Sequence, residues 1–343
     1  MDLWSYLKSS HKPIVLYGTG NGADRVMDRL AAENVGVSGV FASSGFVRNR
    51  FFRGMKVESY AEICDRLSSF IVVMCFGSAR EEVFENVKKI SSEREFYIAD
   101  VPVSGNDIFD EEFYLKNKHR LGAVREKLCD EQSRNIFDNI VSFKLSGKPD
   151  FLFSAVSPEN IYDDIVFCDN APFILDLGAY TGDTVKEFSS CCPGYSGIIA
   201  VEPNKNSFKK LLSVSESLRS VCAVNAVISD KNGDAFLTAG NRGRGARQDA
   251  IGEKIKSVTV DSLLAGEKAH VIKFDVEGNE LPALCGASET IKNHKPKLIL
   301  SCYHKSGDLF LLPEKVFELN GAYKMLLRRK NSIPAWDAEY IFV

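Results

Sequence analysis

The sequence predicts an α/β protein of two domains, each built on a parallel β-sheet. Two apolar segments predicted as strands run directly into glycine-rich turns and then into helical segments, at 14–32 and at 173–184. Strand and helix patterns alternate after each turn, which is typical of parallel βαβ units. The length of 343 residues is long for one hydrophobic core and also favours two domains.

Residues 1–105 are predicted to form a small accessory domain of Rossmann-like architecture. Its predicted strands are 14–17, 35–41, 70–75 and 96–99, and its predicted helices are 23–32, 59–67 and 79–90. The first strand is followed by Gly18, Gly20 and Gly22, a spacing that could bind a nucleotide. The acid expected about 20 residues later is missing, because the second strand runs into Ala42-Ser43. We therefore favour a scaffold or substrate-recognition role, with NAD binding as the alternative.

Two arginine-rich loops are candidate substrate contacts. The first contains Arg48, Arg50 and Arg53 among the aromatic residues Phe46, Phe51 and Phe52. It could clamp an anionic or sugar-nucleotide group, or it could be a solvated basic loop. The second, at 241–247, contains three arginines among glycines and is predicted as a mobile loop that could close over substrate. Plain disorder is the alternative for this second loop.

Residues 106–170 are predicted to form a helical connecting region, and residues 171–343 a second domain. The connecting region is charged, has a helical pattern over 126–144 and is interrupted at Gly147-Lys148-Pro149. The predicted strands of the second domain are 173–175, 197–201, 221–228, 271–274, 297–301, 323–329 and 339–343. The last two strands flank a turn at Ile333-Pro334. The predicted sheet therefore has seven strands, closed by an antiparallel hairpin.

Composition indicates a globular enzyme without a nucleic-acid partner. Hydrophobic residues make up 45%, charged residues 26%, and the formal net charge is -3, whereas nucleic-acid binding needs a surplus of Lys and Arg. The nine cysteines form no C-x-x-C pair, which predicts reduced thiols and a cytoplasmic location. No window reaches the roughly 18 apolar residues of a membrane span. Oligomeric state is not indicated.

The strongest candidate for a binding site is the turn that follows the predicted strand at 173–175. Gly178 and Gly182 allow the backbone to approach a ligand closely, and the following helix presents free N–H groups suited to a carboxylate. Asp176 could take an ammonium group directly or through water. The predicted contacts in this turn are Asp176, Gly178, Ala179, Tyr180, Thr181, Gly182 and Asp183.

The next strand ends in Glu202-Pro203, 26 residues after Asp176. A carboxylate at this position can accept hydrogen bonds from both hydroxyls of a ribose. Because NAD enzymes use the same arrangement, the two motifs predict a nucleoside ligand but do not distinguish its chemistry. An alternative role for Glu202 is to cap the next helix. Asn225 and Ala226, in the third strand, are predicted to lie near the base.

Two further strands end in chemically active residues at the same edge. Asp275 and Glu277 follow one strand, and such paired carboxylates can act as base, bind substrate hydroxyls or hold a divalent metal. No third metal ligand is evident, so we predict no metal. An alternative role, capping of the next helix, can explain one of the two acids but not both. Tyr303-His304 follow the other strand. We expect His304 to contact substrate, and its ordinary pKa suits proton removal from a hydroxyl.

Over residues 170–343 these features together resemble the FkbM-type methyltransferases. The resemblance is carried by the turn 176–183, by Val201-Glu202-Pro203, by the string Lys273-Phe274-Asp275-Val276-Glu277-Gly278-Asn279-Glu280, and by Tyr303-His304 with Asp308. The string is the most specific of these features. It departs from the family pattern at Phe274 and Asn279, which leaves cofactor binding unaffected. The first half looks like an accessory domain found ahead of some members.

The resemblance implies a class I methyltransferase fold and transfer of a methyl group from S-adenosyl-L-methionine to oxygen. The expected acceptor is a hydroxyl on a sugar, a glycan or a secondary metabolite. The predicted catalytic residues are Asp275, Glu277 and His304, the predicted substrate contacts are Glu277, Tyr303 and His304, and Asp275 also lies beside the cofactor. Two alternatives stay open: a nucleotide- or sugar-sensing protein with a non-catalytic methyltransferase fold, and an NAD-dependent enzyme acting through the first domain.

Overall fold

The computed structural model describes residues 1–43, 45–47, 49–158, 162, 171–237, 246–247 and 252–343, with backbone alone at 246–247. The first part of the chain contains α1 (Leu3–Ser9), β1 (Ile14–Tyr17), α2 (Asn21–Ala32), β2 (Gly39–Phe41), β3 (Phe51–Phe52), β4 (Met55–Glu58), α3 (Tyr60–Arg66), β5 (Ile71–Met74), α4 (Glu81–Glu93) and β6 (Glu95–Ile98). These six strands form one sheet in the order β3-β4-β2-β1-β5-β6. All neighbours are parallel except β3 with β4, as the alternating pattern predicted.

The β3-β4 hairpin replaces part of the loop predicted around 46–53. Arg53 and Gly54 form its two-residue turn, and both have positive φ (47° and 81°). Tight hairpins of this kind favour Asn-Gly or Asp-Gly, and Arg-Gly is a weak signal for them. The hairpin was therefore not predicted. Arg53 pairs with Asp24 and Asp28 of α2, while Arg48 lies outside the described residues.

Three helices connect the two sheets: α5 (Glu111–Lys127), α6 (Glu131–Ser146) and α7 (Pro149–Ser154). The pattern over 126–144 predicted a single helix, but a new helix begins at Glu131 because the Asp130 carboxylate accepts from the backbone N–H of Ser133 (2.7 Å). Gly147, in the left-handed conformation, ends α6 at the predicted break. Side chains of α6 share one buried core with strands of both sheets. The domain boundaries at 105 and 170 stay predictions.

The second sheet has seven strands and confirms the predicted fold class. The chain from residue 171 onward contains the following elements: β7 (Phe173–Leu177), α8 (Asp183–Cys191), β8 (Gly197–Val201), α9 (Lys205–Ser217), β9 (Val221–Val224), β10 (Val227–Ile228), β11 (Gly233–Leu237), β12 (Ala246–Arg247), β13 (Glu253–Val258), α10 (Val260–Leu264), β14 (Val271–Phe274), α11 (Glu280–Cys285), α12 (Ser288–His294), β15 (Lys297–Ser301), α13 (Asp308–Leu319), β16 (Met325–Arg329) and β17 (Ala338–Phe342). The strand order is β16-β17-β15-β14-β7-β8-β9. β17 is antiparallel to both β15 and β16, which is the predicted closing hairpin.

A third, four-stranded sheet was not predicted. The segment predicted as one strand at 221–228 divides into β9, which joins the seven-stranded sheet, and β10, which pairs with β13. β11 and β12 complete this small sheet. The loop predicted at 241–247 lies largely outside the described residues. Among the described helices, none combines the length and apolar character needed to cross a membrane.

Candidate active site

The turn after β7 is held in a conformation that only glycine adopts easily. Gly178 has φ of 91°, and a Cβ atom there would lie 1.8 Å from the carbonyl oxygen of Asp275. Gly182, also at φ 91°, precedes α8 and is packed against Val214. The N–H groups of Gly178 and Ala179 both donate to the carbonyl of Val201 (2.9 Å each). These contacts bring the predicted turn against the ends of both neighbouring strands, β8 and β14.

Glu202 lies at the end of β8 with its carboxylate turned towards the glycine turn. One oxygen accepts the backbone N–H of Tyr180 (3.0 Å) and the other that of Asn204 (2.7 Å). The side chain is buried, and burial raises the pKa of Glu202 to about 7 although these two N–H groups oppose the rise. Each carboxylate oxygen retains a lone pair for a hydroxyl donor. Asn204, not Glu202, is the side chain that caps the next helix, α9.

Asn225 braces this region through its side chain. Its amide donates to the carbonyls of Glu202 (2.8 Å) and Pro203 (3.1 Å), and Ala226 is buried. The backbone of the 202–203 loop therefore depends on Asn225. Its predicted contact with a base stays a prediction. Tyr180, by contrast, is 60% exposed, and Thr181 and Asp183 bond to each other at the start of α8.

Asp176 and Lys273 form a buried pair of opposite charges beneath the site. They are register neighbours on β7 and β14, and both are almost inaccessible to solvent. Neither carboxylate oxygen of Asp176 has a hydrogen-bond partner among the described residues. Burial raises its pKa to about 6, and the charge of Lys273 opposes that rise. Because Asp176 is fully buried, contact with an ammonium group through water fits its position better than direct contact.

Asp275 connects this buried pair to the open part of the site. Lys273 Nζ donates to one of its oxygens (2.8 Å), and the Tyr303 hydroxyl donates to the other (3.2 Å). Burial raises the pKa of Asp275, but Lys273 and then His304 lower it to about 2. Asp275 is therefore ionised throughout the physiological range and is a poor proton acceptor.

His304 is buried and faces three carboxylates. Its Nδ1 lies 2.9 Å from Glu280, and its Nε2 lies 3.5 Å from Asp275 and 3.7 Å from Glu277. Burial by itself lowers the pKa of His304, but Glu280, followed by the other two carboxylates, raises it to about 9. The ring therefore carries a positive charge at neutral pH. A protonated imidazole has no lone pair to accept a proton, so this geometry disfavours His304 as the general base.

Glu277 is the most accessible of these acids. Its side chain is 38% exposed, and its backbone is in the left-handed region (φ 56°), which costs a non-glycine residue on the order of 1–2 kcal/mol. Such strain persists only where the surroundings enforce it and is common at functional sites. Glu277 thus presents a carboxylate to the opening of the site, next to the positive charge of His304.

The segment between β6 and α5 supplies part of the wall around these residues. The N–H of Ser104 donates to the carbonyl of His304 (2.9 Å), and the Ser306 hydroxyl donates to the carbonyl of Asp107 (2.5 Å). Gly278 allows this approach, because a Cβ atom there would lie 2.5 Å from the Ser104 side chain. The segment that precedes α5 is therefore packed directly on the loop that carries His304.

Sequence reasoning did not assign individual roles to Glu280 or Lys273. Glu280 was expected only to begin a helix, but its carboxylate accepts the N–H groups of Val276 and Gly278 and contacts His304. Asp275, Glu280 and His304 are also close enough together to hold a metal ion. Glu277, the second acid of the pair considered in the sequence, is not part of this group.

Residues 176–329 match the family model described as "Methyltransferase FkbM domain". This part of the chain, called the FkbM domain below, is therefore similar to the methyltransferases of the FkbM family. A crystal structure of methyltransferase FkbM from Methylobacillus flagellatus KT has 17% sequence identity and a TM-score of 0.73, with 99% of this chain and 92% of that one covered. The shared fold therefore includes the N-terminal sheet as well as the FkbM domain.

Two other solved structures align with about half of this chain at low TM-score. A precorrin-6y C5,15-methyltransferase from Geobacter metallireducens GS-15 has 12% identity and a TM-score of 0.34, covering 52% of this chain and 81% of that one. Aeropyrum pernix fibrillarin in complex with S-adenosyl-L-methionine has 13% identity and a TM-score of 0.34, covering 51% and 67%. No curated protein matches the chain.

Proposed function

We propose that this chain transfers the methyl group of S-adenosyl-L-methionine to a hydroxyl group of a sugar, a glycan or a related small molecule. The observation that carries the proposal is the meeting of four strand ends at one edge of the seven-stranded sheet. The glycine turn after β7 and Glu202 after β8 stand beside Asp275 after β14 and His304 after β15. Ligands of open α/β sheets bind at such an edge.

The polar groups at this edge fit the parts of the cofactor. Glu202 has lone pairs for two ribose hydroxyls, and the buried, unpartnered carboxylate of Asp176 suits an ammonium group nearby. The exposed turn residue Tyr180 lies next to Glu202, because its backbone N–H donates to the Glu202 carboxylate. When bound, S-adenosylmethionine supplies a methyl group made electrophilic by a positive sulfur.

Glu277 is the proposed proton acceptor for the substrate hydroxyl. Its side chain is 38% exposed and stands 3.7 Å from the charged ring of His304, whereas the pKa of Asp275, lowered to about 2, makes that carboxylate a poor proton acceptor. His304 and Tyr303 would orient the substrate hydroxyl and the carboxylate of Glu277. Orientation is expected to supply most of the rate enhancement, because correct alignment of the reacting atoms can contribute several kcal/mol.

The direct test is formation of S-adenosylhomocysteine by the purified chain. The acceptor source is a cell extract filtered to remove its own enzymes, and the product is measured by mass spectrometry. Acceptor-dependent product with wild-type protein, and none with Glu202→Ala, is the expected result. Binding of S-adenosylmethionine without turnover in any extract would favour the sensing alternative instead.

Glu202→Ala should weaken binding of S-adenosylmethionine about 10- to 100-fold. The reason is the loss of hydrogen bonds to a charged group, each contributing about 1.5–3 kcal/mol. Isothermal titration calorimetry measures the change. Glu216→Ala, an exposed acid on α9, is the matched control and should bind as wild type. Equal affinity of the two variants would refute the ribose role of Glu202.

Cofactor binding near pH 6.5 should release protons. Burial raises the pKa of Glu202 to about 7 and that of Asp176 to about 6, so both carboxyls are partly protonated there. Hydroxyl or ammonium donors favour the ionised form and lower the pKa, which expels the proton. Calorimetry in buffers of different ionisation enthalpy measures the release, and Glu202→Gln should reduce it. Proton uptake on binding would contradict these assignments.

A further inference from the structure

A large cavity lies at the N-terminal sheet, separate from the glycine turn of the FkbM domain. Its volume is about 790 Å³, within the size range of small-molecule sites. It is lined by the glycine turn after β1, by Cys75 to Gly77 after β5, by the segment after β6, and by Pro334 and Trp336 from the β16-β17 hairpin. A second cavity of about 420 Å³ shares Thr19, Arg50, Phe76 and Gly77 with it.

The cavity lies where the direction of the N-terminal sheet reverses. β2 flanks β1 on one side and β5 flanks it on the other, so the carboxyl ends of β1 and β5 form the crevice in which doubly wound sheets bind ligands. Gly22 makes the crevice tight, because a Cβ atom there would lie 2.1 Å from the carbonyl oxygen of Cys75. Gly20, in contrast, borders open space, with no atom within 4 Å of a built Cβ.

The charge of the lining favours an anion. Arg50 extends over the turn and donates to the Thr19 hydroxyl. Of the described residues in the lining, only Asp24 is acidic, and Arg53 neutralises it (2.7 Å). Within the described part of the chain, no side chain caps the first turn of α2, so its N–H groups remain for a phosphate. The aromatic rings of Phe76 and Trp336 provide flat surfaces beside these polar groups.

Two walls of the cavity continue into the candidate active site. Trp336 covers the end of β5 because Gly77 leaves room for its indole ring. Two residues further along, the carbonyl of Ala338 accepts the backbone N–H of Cys302 (3.0 Å), two residues before His304. On the other wall, the segment through Val103 runs into Ser104, which bonds to the backbone of His304.

We propose that this cavity binds the nucleoside diphosphate part of a nucleotide-linked sugar, whose sugar hydroxyl is then the methyl acceptor. The diphosphate lies against Gly20, the start of α2 and Arg50, and the sugar extends past Trp336 towards Glu277. The absence of an acid at Ser43, the position that binds ribose in NAD enzymes, separates this ligand from NAD. The acceptor part of this inference rests on the proposed function; the binding part does not.

The binding test titrates the full chain with UDP, GDP, ADP, CDP and dTDP, and with NAD and inorganic pyrophosphate. At least one nucleoside diphosphate should bind, and Gly20→Leu, which fills the open space, should weaken that binding about tenfold or more. Gly36→Leu, at an exposed glycine that also borders open space, is the matched control. Unchanged binding by Gly20→Leu, no binding of any nucleoside diphosphate, or tighter binding of NAD or pyrophosphate would overturn the proposal.

The acceptor test adds S-adenosylmethionine and nucleotide-linked sugars and detects methylated sugar by mass spectrometry. Methylation that Gly20→Leu slows, with S-adenosylmethionine affinity unchanged, is the expected result. Methylation of free sugars at the same rate as of nucleotide-linked ones would overturn the acceptor assignment. Nucleotide binding without S-adenosylmethionine binding would instead contradict the proposed function and leave the cavity assignment standing.

Discussion

Glu277→Gln should lower the rate of S-adenosylhomocysteine formation by about 100- to 10,000-fold at saturating cofactor, the range typical of general-base catalysis. The amide keeps the size of the side chain but cannot accept the proton of the substrate hydroxyl. The positive charge of His304, 3.7 Å away, would then face a neutral group. The rate is measured with the acceptor source that gives turnover in the wild type.

Two measurements separate this role from simple substrate binding. A proton acceptor changes kcat, whereas a residue that binds ground and transition states equally changes KM. Cofactor affinity should stay at the wild-type value, because Glu202 and the glycine turn are untouched. Glu267→Gln, an exposed acid in the turn after α10, is the control for the chemical change itself. A kcat for Glu277→Gln within about threefold of wild type would exclude Glu277 as the base.

The positions of the predicted acids follow from sheet geometry alone. The carboxyl ends of parallel strands meet at one edge, so a strand pattern that stops at Glu202, Asp275 or Tyr303 already places these residues together. The glycine turn is equally local, because Gly178 and Gly182 are required by positive φ. These features were therefore accessible to sequence reasoning, and the predicted antiparallel hairpin closes the seven-stranded sheet.

The charge state of His304 was not accessible in the same way. An isolated histidine after a strand suggests a base of ordinary pKa, but Glu280, 24 residues earlier in the chain, lies 2.9 Å from its ring. Helix α11 brings Glu280 to that point, and the local pattern at Glu280 shows only the start of a helix. The pKa of about 9 arises from tertiary contacts, which no spacing rule describes.

The same limit explains the missed strands. β10 and β13 are parallel partners about 30 residues apart, and β10 has only two residues. A strand of two residues is too short to show an alternating hydrophobic pattern. It also follows β9 so closely that the sequence suggests one continuous strand. Only the pairing with distant segments separates β10 from the seven-stranded sheet.

Lys273→Met should lower the free energy of unfolding by about 3–5 kcal/mol at pH 7, as when one partner of a buried ion pair is removed. Lys273 is 4% exposed and bonds to Asp275 at 2.8 Å. Burial raises the pKa values of Asp176 and Glu339, and the positive charge of Lys273 lowers them. Methionine fills a similar volume, so the loss reports the unbalanced carboxylates rather than a cavity. Urea denaturation measures it.

The pH dependence of that loss distinguishes charge from packing. The folded-state pKa values of Asp176 and Glu339, about 6 and about 7, lie above their unfolded values and should rise further without Lys273. A group with a raised folded-state pKa binds more protons when folded, so acid favours its folded form. The defect should therefore shrink as the pH falls from 7 to about 5. Lys254→Met, which breaks the exposed strand pair Lys254–Asp234, should show little defect at either pH. If the loss of unfolding free energy in Lys273→Met did not vary with pH, Lys273 would stabilise the fold through packing and not through its charge. The buried carboxylates would then have to be neutral already at pH 7.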